Sequence, residues 1–119
     1  MYLPLREILD RTVGVEGELR EALAGVSGVQ TAVIHGSWAD GTLRPGSDVD
    51  VLVIGTADLA SLRRLVRPIG QHAGRRIDVT LFRPDEVRSE LREGSPFLDK
   101  VARGPRVTLV GDLDQVNLV

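Results

Sequence analysis

The sequence contains no cysteine and very few aromatic residues. Disulfide bonds and metal sites with thiolate ligands are therefore excluded. With one tryptophan, one tyrosine and two phenylalanines, the core must consist of valine, leucine, isoleucine and alanine, which the hydrophobic fraction of 42% allows. Lysine occurs only at Lys100, so nearly all positive charge is arginine. Such a bias more often reflects genome composition or heat adaptation than a binding function.

Long apolar runs and a strong net charge are also missing. The longest apolar stretch, residues 49–54 with Asp50 inside it, is far shorter than the roughly 20 residues that cross a bilayer. Residues 1–5 lack the basic region and long apolar segment of a signal peptide. The formal net charge is only −2, so no overall field draws the chain onto nucleic acid or anionic lipid. We expect a cytoplasmic domain without membrane contact or direct nucleic-acid binding.

The 119 residues show no internal repeat and no low-complexity tract, which predicts a single domain over residues 1–119. A first helical pattern covers residues 4–12, Gly14 is expected to break it, and a second covers residues 15–23. Three further helices are predicted: residues 59–72 with Asp58 as N-cap and Pro68 as an end or kink, residues 83–94, and residues 95–103.

Four short apolar runs are predicted to be strands, at residues 31–35, 48–54, 76–82 and 106–110. Residues 36–47 contain three glycines, a proline and two serines, so they are predicted to be a structured loop with room for one helical turn. Because helices and strands alternate, the fold class is expected to be α/β or α+β. The sheet should be small and mixed, with about four strands covered by helices.

Asp48 and Asp50 are the residues most informative about function. They lie two residues apart along a strand, so their side chains share one face. Two adjacent carboxylates repel each other and raise their pKa values unless a cation lies between them, and Mg²⁺ prefers carboxylate and phosphate oxygens. Just upstream, Gly36 lets backbone amides approach a phosphate and Ser37 adds a hydroxyl donor. The pattern therefore favours a combined metal and phosphate site.

A third carboxylate, Asp78, lies in the run at residues 76–82, where Ile77 and Val79 face the other way. If this strand neighbours the second one, Asp78 joins the aspartate pair. Three carboxylates can hold two metal ions about 3.5–4 Å apart, the usual arrangement for in-line phosphoryl displacement. An isolated Asp-x-Asp pair is commonly a solvated turn, and a strand carboxylate can simply face solvent. The combination with the glycine-serine pair is what favours a site.

The succession Gly36-Ser37, ten intervening residues and Asp48-x-Asp50 resembles the signature of the nucleotidyltransferase superfamily, which includes the polymerase-β-like enzymes. More narrowly, the chain resembles the minimal nucleotidyltransferase domains of prokaryotes, and its tail resembles those linked to winged-helix regulators. The resemblance implies the nucleotidyltransferase fold, a bound nucleoside triphosphate such as ATP, a need for Mg²⁺ or Mn²⁺, and transfer of a nucleotidyl group, AMP, to a hydroxyl.

The resemblance also implies a role for each matching residue. Gly36 and Ser37 would contact phosphate, Asp48 and Asp50 would bind metal and nucleotide, and Asp78 would be the third metal ligand and the base. Some minimal relatives are antitoxins that adenylylate a partner ribonuclease of the HEPN type, whereas others modify antibiotics. A chain this small leaves little acceptor surface, so either a HEPN-like protein or a second copy is expected to complete the site.

The alternative to an enzyme is a non-catalytic nucleotide-binding or regulatory interaction module. Asp40 favours this alternative, because many relatives carry a basic residue at this point of the loop and a carboxylate there could repel triphosphate. The winged-helix-linked subgroup often lacks an acid at the position of Asp78, so its presence here favours the enzyme.

Two residues near the glycine-serine pair and two groups of arginines have open roles. His35 is interpreted as a satisfied core or rim histidine rather than a ligand, and Trp38 as a packing residue rather than a platform for a base. The arginines are either solvated or part of a binding surface: Arg63, Arg64 and Arg67 on one helix face, and Arg75 and Arg76 at a turn beside the cleft.

Overall fold

The structure of the protein, a computed structural model, describes residues 5–40 and 48–113, apart from the side chains of residues 5–13, 37 and 40. Pro4 and residues 41–47 of the expected loop lie outside the described residues. The elements confirm the predicted alternation and occur in the order α1 (Leu5–Ala24), β1 (Val29–His35), α2 (Ser37–Asp40), β2 (Val49–Gly55), α3 (Leu59–Ala73), β3 (Ile77–Phe82), α4 (Pro84–Arg92), α5 (Pro96–Arg103) and β4 (Val107–Val110).

The four strands form one mixed sheet in the order β3-β2-β1-β4. β1 is antiparallel to both β2 and β4, whereas β2 and β3 are parallel and are joined by α3. A parallel pair needs such a crossover, because the chain must return to the same end of the sheet. β3 is therefore a terminal strand, and its second edge is not paired within the described sheet.

Apolar side chains of β2 point to both faces of the sheet and are buried on each. On one face, α1 and α3 pack over Val49, Val51 and Val53. On the other face, α4 and α5 pack over Leu52 and Ile54. A strand buried on both faces has a nearly continuous apolar sequence, which explains why this run was recognisable as a strand.

The expected break in the first helix is wrong, because α1 runs without interruption through Gly14. A glycine inside a helix costs about 1 kcal/mol relative to alanine. The full burial of Leu19 and Leu23 on the sheet outweighs this cost, since burying one such side chain contributes about 1.5–3 kcal/mol. Among the described helices, of which α1 is the longest, none combines the length and apolar character required to cross a bilayer.

α3 begins as predicted and also continues past its proline. The carboxylate of Asp58 accepts a hydrogen bond from the backbone N–H of Ser61 at 3.0 Å, which confirms it as N-cap. Pro68 lies on the exposed side and does not end the helix, which continues to Ala73. The buried residues Val66 and Gly70 before and after the proline hold the helix on the sheet despite the missing backbone donor.

Candidate active site

The residues singled out in the sequence meet at one end of the sheet. Because β1 is antiparallel to β2 and β2 is parallel to β3, the end of β1 lies beside the beginnings of β2 and β3. Gly36 follows β1, Asp48 directly precedes β2, and Asp78 is the second residue of β3. The prediction that these three strands are neighbours is confirmed.

Asp50 and Asp78 lie on the same face of the sheet, in one row with His35. Asp50 pairs with His35 across β1 and β2 and with Asp78 across β2 and β3. Directly paired residues on adjacent strands project to the same side. The three-carboxylate hypothesis required this common face, and opposite faces would have excluded it. The row lies on the side covered further along by α4 and α5.

The carboxyl of Asp50 is half-buried, and its pKa is raised above the ordinary value. Burial is the main cause, and the negative charges of Asp78 and Asp48 add to it, whereas His35 acts in the opposite direction. Burial and the neighbouring negative charges both disfavour the ionised form of Asp50. An ionised Asp50 is therefore a destabilising group that a cation between the carboxylates would stabilise.

Gly36 allows the backbone to lie directly against this carboxyl. Its φ of 76° is in the left-handed region, and a Cβ built at this position would lie 2.7 Å from Oδ2 of Asp50. Only glycine satisfies both constraints. The chain then turns at once into α2, whose Ala39 N–H donates to the Gly36 carbonyl at 3.1 Å. The side chains of Ser37 and Asp40 are not among those described, so their expected roles stay predictions.

His35 is not the satisfied histidine that the sequence was expected to contain. Its Nε2 is buried without a hydrogen-bond partner among the described residues, and its ring meets Phe97 edge-on at 5.5 Å. Burial lowers its pKa, with a contribution from Lys100, although Asp50 and Asp78 act to raise it. Burial therefore favours the neutral form of the imidazole beside the carboxylates.

α5 contributes two neighbours of the site that the sequence did not reveal. Phe97 is partly exposed and also stacks on Phe82 of β3 at 6.1 Å, and Lys100 is close enough to His35 to affect its pKa. Neither residue carries a local signal, since an aromatic residue and a lysine in a short amphipathic helix are ordinary. Their place depends on how α5 packs on the sheet.

Trp38 is a packing residue, as expected. Its side chain is buried, and its indole N–H donates to Oε1 of Glu16 on α1 at 2.9 Å. The guanidinium of Arg75 lies over the ring at 5.6 Å from its centroid. These contacts tie α2 to α1 and to the segment before β3, so the turn that follows Gly36 is held from two sides.

A groove of about 710 Å³ lies between α3 and the terminal strand β3. Four arginines line it together with Asp78, and we call it the arginine groove: Arg63, Arg67, Arg75 and Arg76. Of the three arginines predicted to share one helix face, only Arg63 and Arg67 line the groove. Arg64 does not line the groove and instead donates to the hydroxyl of Ser61 at 3.3 Å.

The carboxylates are compatible with a metal ion that is shared with a phosphate ligand. In the part of the chain that the structure describes, no three histidine or acidic side chains come together closely enough to hold a metal by themselves. Mg²⁺ does not need such a cage, because it usually binds one or two carboxylates together with substrate phosphates and water. Asp50, beside the backbone of Gly36, is a carboxylate of this kind, and Asp48 directly precedes the same strand.

Residues 16–110 match the nucleotidyltransferase domain family. The match covers most of the chain, which therefore belongs to this family and is a nucleotidyltransferase. No protein of curated function matches the sequence significantly.

Solved structures of toxin–antitoxin complexes share the fold. One, a toxin–antitoxin complex with AMP-PNP, aligns with a TM-score of 0.60 and 21% identity over 87% of this chain and 78% of that chain. Another contains a tri-AMPylated Shewanella oneidensis HEPN toxin with its MNT antitoxin, with a TM-score of 0.56 and 17% identity over 90% of this chain and 78% of that chain. A MntA–HepT complex aligns with a TM-score of 0.54 and 17% identity over 89% of this chain and 78% of that chain. At these identities the likeness concerns the fold.

Proposed function

We propose that the protein transfers AMP from ATP to a hydroxyl of a partner protein of the HEPN type, with Mg²⁺ or Mn²⁺ as cofactor. The observation that carries the proposal is the row of Asp50 and Asp78 on one sheet face, next to the Gly36 backbone, in a domain of the nucleotidyltransferase family. Structures of the same fold that contain AMP-PNP or an AMPylated HEPN toxin support the choice of nucleotide and partner.

Nucleotide binding falls to the residues around the end of β1. Gly36 and Ser37 contact the phosphates, and Asp48 and Asp50 hold the cation that accompanies them. A divalent cation bound there would neutralise phosphate charge and lower the pKa of the attacking hydroxyl. The raised pKa of Asp50 supports this assignment, because the group lies in surroundings that favour the addition of positive charge.

The transfer itself breaks a phosphoanhydride bond of ATP and forms a phosphate ester with the acceptor. The acceptor hydroxyl oxygen forms a bond to the α-phosphorus of ATP, while the bond from that phosphorus to the oxygen shared with the β-phosphate breaks and pyrophosphate leaves. The hydroxyl proton passes to the carboxylate of Asp78. This residue suits the role of base because it is exposed on the terminal strand, where an acceptor can reach it, whereas Asp50 is half-buried between two strands.

The test is the substitution Asp78→Asn, which keeps the shape of the side chain and removes the base. We expect nucleotide affinity to change by no more than about twofold and the transfer rate to fall roughly 10²-fold or more. The measurement follows label from the α-phosphate of ATP into a HEPN-type protein encoded beside this chain, with pyrophosphate release as a second readout. Asp85→Asn, an exposed acid at the start of α4, is the matched control and should transfer at the wild-type rate.

Two results would contradict the proposal in different ways. Transfer by Asp78→Asn at the wild-type rate would mean that another group accepts the proton. A wild-type protein that binds ATP with Mg²⁺ but modifies no candidate partner would instead favour the non-catalytic nucleotide-binding module.

A further inference from the structure

The helical side of the arginine groove carries two positive charges that point the same way. Arg63 and Arg67 are one helical turn apart on α3, and both are exposed. The adjacent side of α3 is anchored in the core through Leu62 and Val66, and Val66 also lines the groove. The two guanidinium groups therefore extend from a rigid element, which reduces the entropy lost when they bind an anion.

The strand side of the groove is held equally firmly. The backbone N–H of Arg75 donates to the carbonyl of Gly70 at 2.9 Å, and the carbonyl of Arg76 accepts from the N–H of Val49 at 2.8 Å. The side chain of Arg75 is also packed on Trp38. These bonds join the backbone between α3 and β3 to both elements, so the positions from which Arg75 and Arg76 extend are fixed.

The balance of charge in the groove selects an acidic ligand. Among the described residues, four arginines line it together with a single carboxylate, Asp78. The chain as a whole is slightly negative, so the positive charge is a local feature. A concave surface lined by one sign of charge attracts and orients ligands of the opposite sign.

The floor of the groove suits an extended polypeptide. Its apolar lining consists of Ile77, which is partly exposed, and of Val66 and Val79, which are almost completely buried. β3 is terminal, so backbone N–H and C=O groups of every second residue point away from β2. An extended segment can pair along this edge, place apolar side chains on the floor and direct acidic ones to the arginines.

Strand order separates the groove from the expected phosphate site. Gly36 follows β1, the groove flanks β3, and β2 with Asp50 lies between them. The triphosphate is thus expected on one side of the carboxylates and the groove on the other. RNA fits the groove less well than protein, because the lining residues that the structure describes include no aromatic side chain on which a base could stack.

We infer that the arginine groove binds an extended acidic segment of the acceptor protein and brings its hydroxyl to Asp78. The part about the hydroxyl rests on the proposed function, whereas the binding of an acidic segment does not require transfer. The acceptor hydroxyl then lies within or next to a stretch of acidic and apolar residues, which defines the class of substrate.

The test uses a short fluorescein-labelled peptide that alternates glutamate and valine around one tyrosine. Its binding to the full chain is measured by fluorescence anisotropy at low and high salt. We expect the double variant R63Q/R67Q to weaken binding at least about tenfold, and high salt to do the same. The matched control R88Q/R92Q removes two exposed arginines from α4 and should change the affinity by less than about twofold. Circular dichroism verifies that both variants are folded.

Three results would overturn the inference. Equal weakening by both double variants would show an unspecific effect of net charge. Tighter binding of a fluorescein-labelled single-stranded RNA than of the acidic peptide would identify a nucleic-acid surface. Loss of Mg²⁺-ATP affinity in R63Q/R67Q would place the triphosphate in the groove.

The proposed function can fail separately. A wild-type protein that binds the acidic peptide through Arg63 and Arg67, yet transfers no AMP to its tyrosine or to a HEPN-type protein, contradicts AMP transfer and supports the groove assignment.

Discussion

The two faces of the sheet differ in how far their helices cover them. On one face, α1 and α3 bury apolar side chains along the whole of β2, from Val49 to Val53. On the other, α4 and α5 bury Leu52 and Ile54, but the next residue of β2 on that face is Asp50. One face is therefore apolar throughout, whereas the other changes from apolar to acidic within a single strand.

This difference separates stability from chemistry within a small domain. The larger core on the α1 and α3 face holds the sheet, so the other face can leave one end open and place like charges there. Such charges cost stability in the unliganded protein, as the raised pKa of Asp50 indicates. Proteins commonly accept such a cost at binding sites and offset it elsewhere.

The largest effect on stability is expected when one buried leucine is truncated in the core on each face of the sheet. Leu19 on α1 and Leu98 on α5 are both completely buried, in the larger and the smaller cluster respectively. We expect Leu19→Ala to lower the free energy of unfolding by about 3–5 kcal/mol and Leu98→Ala by about 2–3 kcal/mol. Urea denaturation measures both. A larger loss from Leu98→Ala would mean that the α4 and α5 face carries more of the stability than we infer.

The next largest effect is expected from Asp50→Asn, at the acidic end of β2. This variant should lose the stabilisation that the ligand gives to the wild type. At saturating Mg²⁺-ATP, about 100 times its Kd, the wild type should gain about 2.7 kcal/mol, and the variant should gain almost nothing. Thermal unfolding with and without ligand measures this gain. A wild-type gain that survives in Asp50→Asn would remove this residue from the site.

The pH dependence of the unliganded protein tests the same carboxyl. The folded-state pKa of Asp50 is raised above its unfolded value, so the ionised group opposes folding. The protonated carboxyl contributes to the free energy of unfolding. This contribution is complete below the pKa of the unfolded state and is lost as the pH rises through the pKa of the folded state. At pH 7 we therefore expect unliganded Asp50→Asn to be more stable than the wild type, with the difference vanishing in acid. A wild type that is the more stable form at pH 7 would contradict this expectation.

The smallest effect on stability is expected from Gly36→Ala, which tests the contact between the turn and Asp50. The left-handed backbone should cost about 1–2 kcal/mol, and the new methyl group would displace the carboxyl, so Mg²⁺-ATP affinity should fall as well. Gly94→Ala is the matched control: its φ is 78°, but the space around its Cβ is open. Both variants should lose similar stability, and only Gly36→Ala should lose affinity. Calorimetry measures both quantities.

Much of the fold was predictable because local signals agreed with burial. The apolar runs of β1 to β4, the N-cap at Asp58 and the proline starts of α4 and α5 each have a short-range cause. The break expected at Gly14 is absent, and α3 reaches its predicted length although it contains Pro68; the two observations have a common reason. Both residues disfavour helix locally, and only the apolar contacts of α1 and α3 with the sheet outweigh that preference.

The features of the candidate site also fall into those with a local cause in the sequence and those that depend on the tertiary structure. The sequence by itself determined which residues are acidic, their spacing of two along β2 and the glycine after β1, because these depend on strand periodicity and backbone sterics. Only the tertiary structure decided that Asp78 lies beside Asp50, that His35 completes the row and that Arg63 and Arg75 share a groove. Those relations join residues far apart in the chain, and they follow from the order and direction of the strands, which no local pattern encodes.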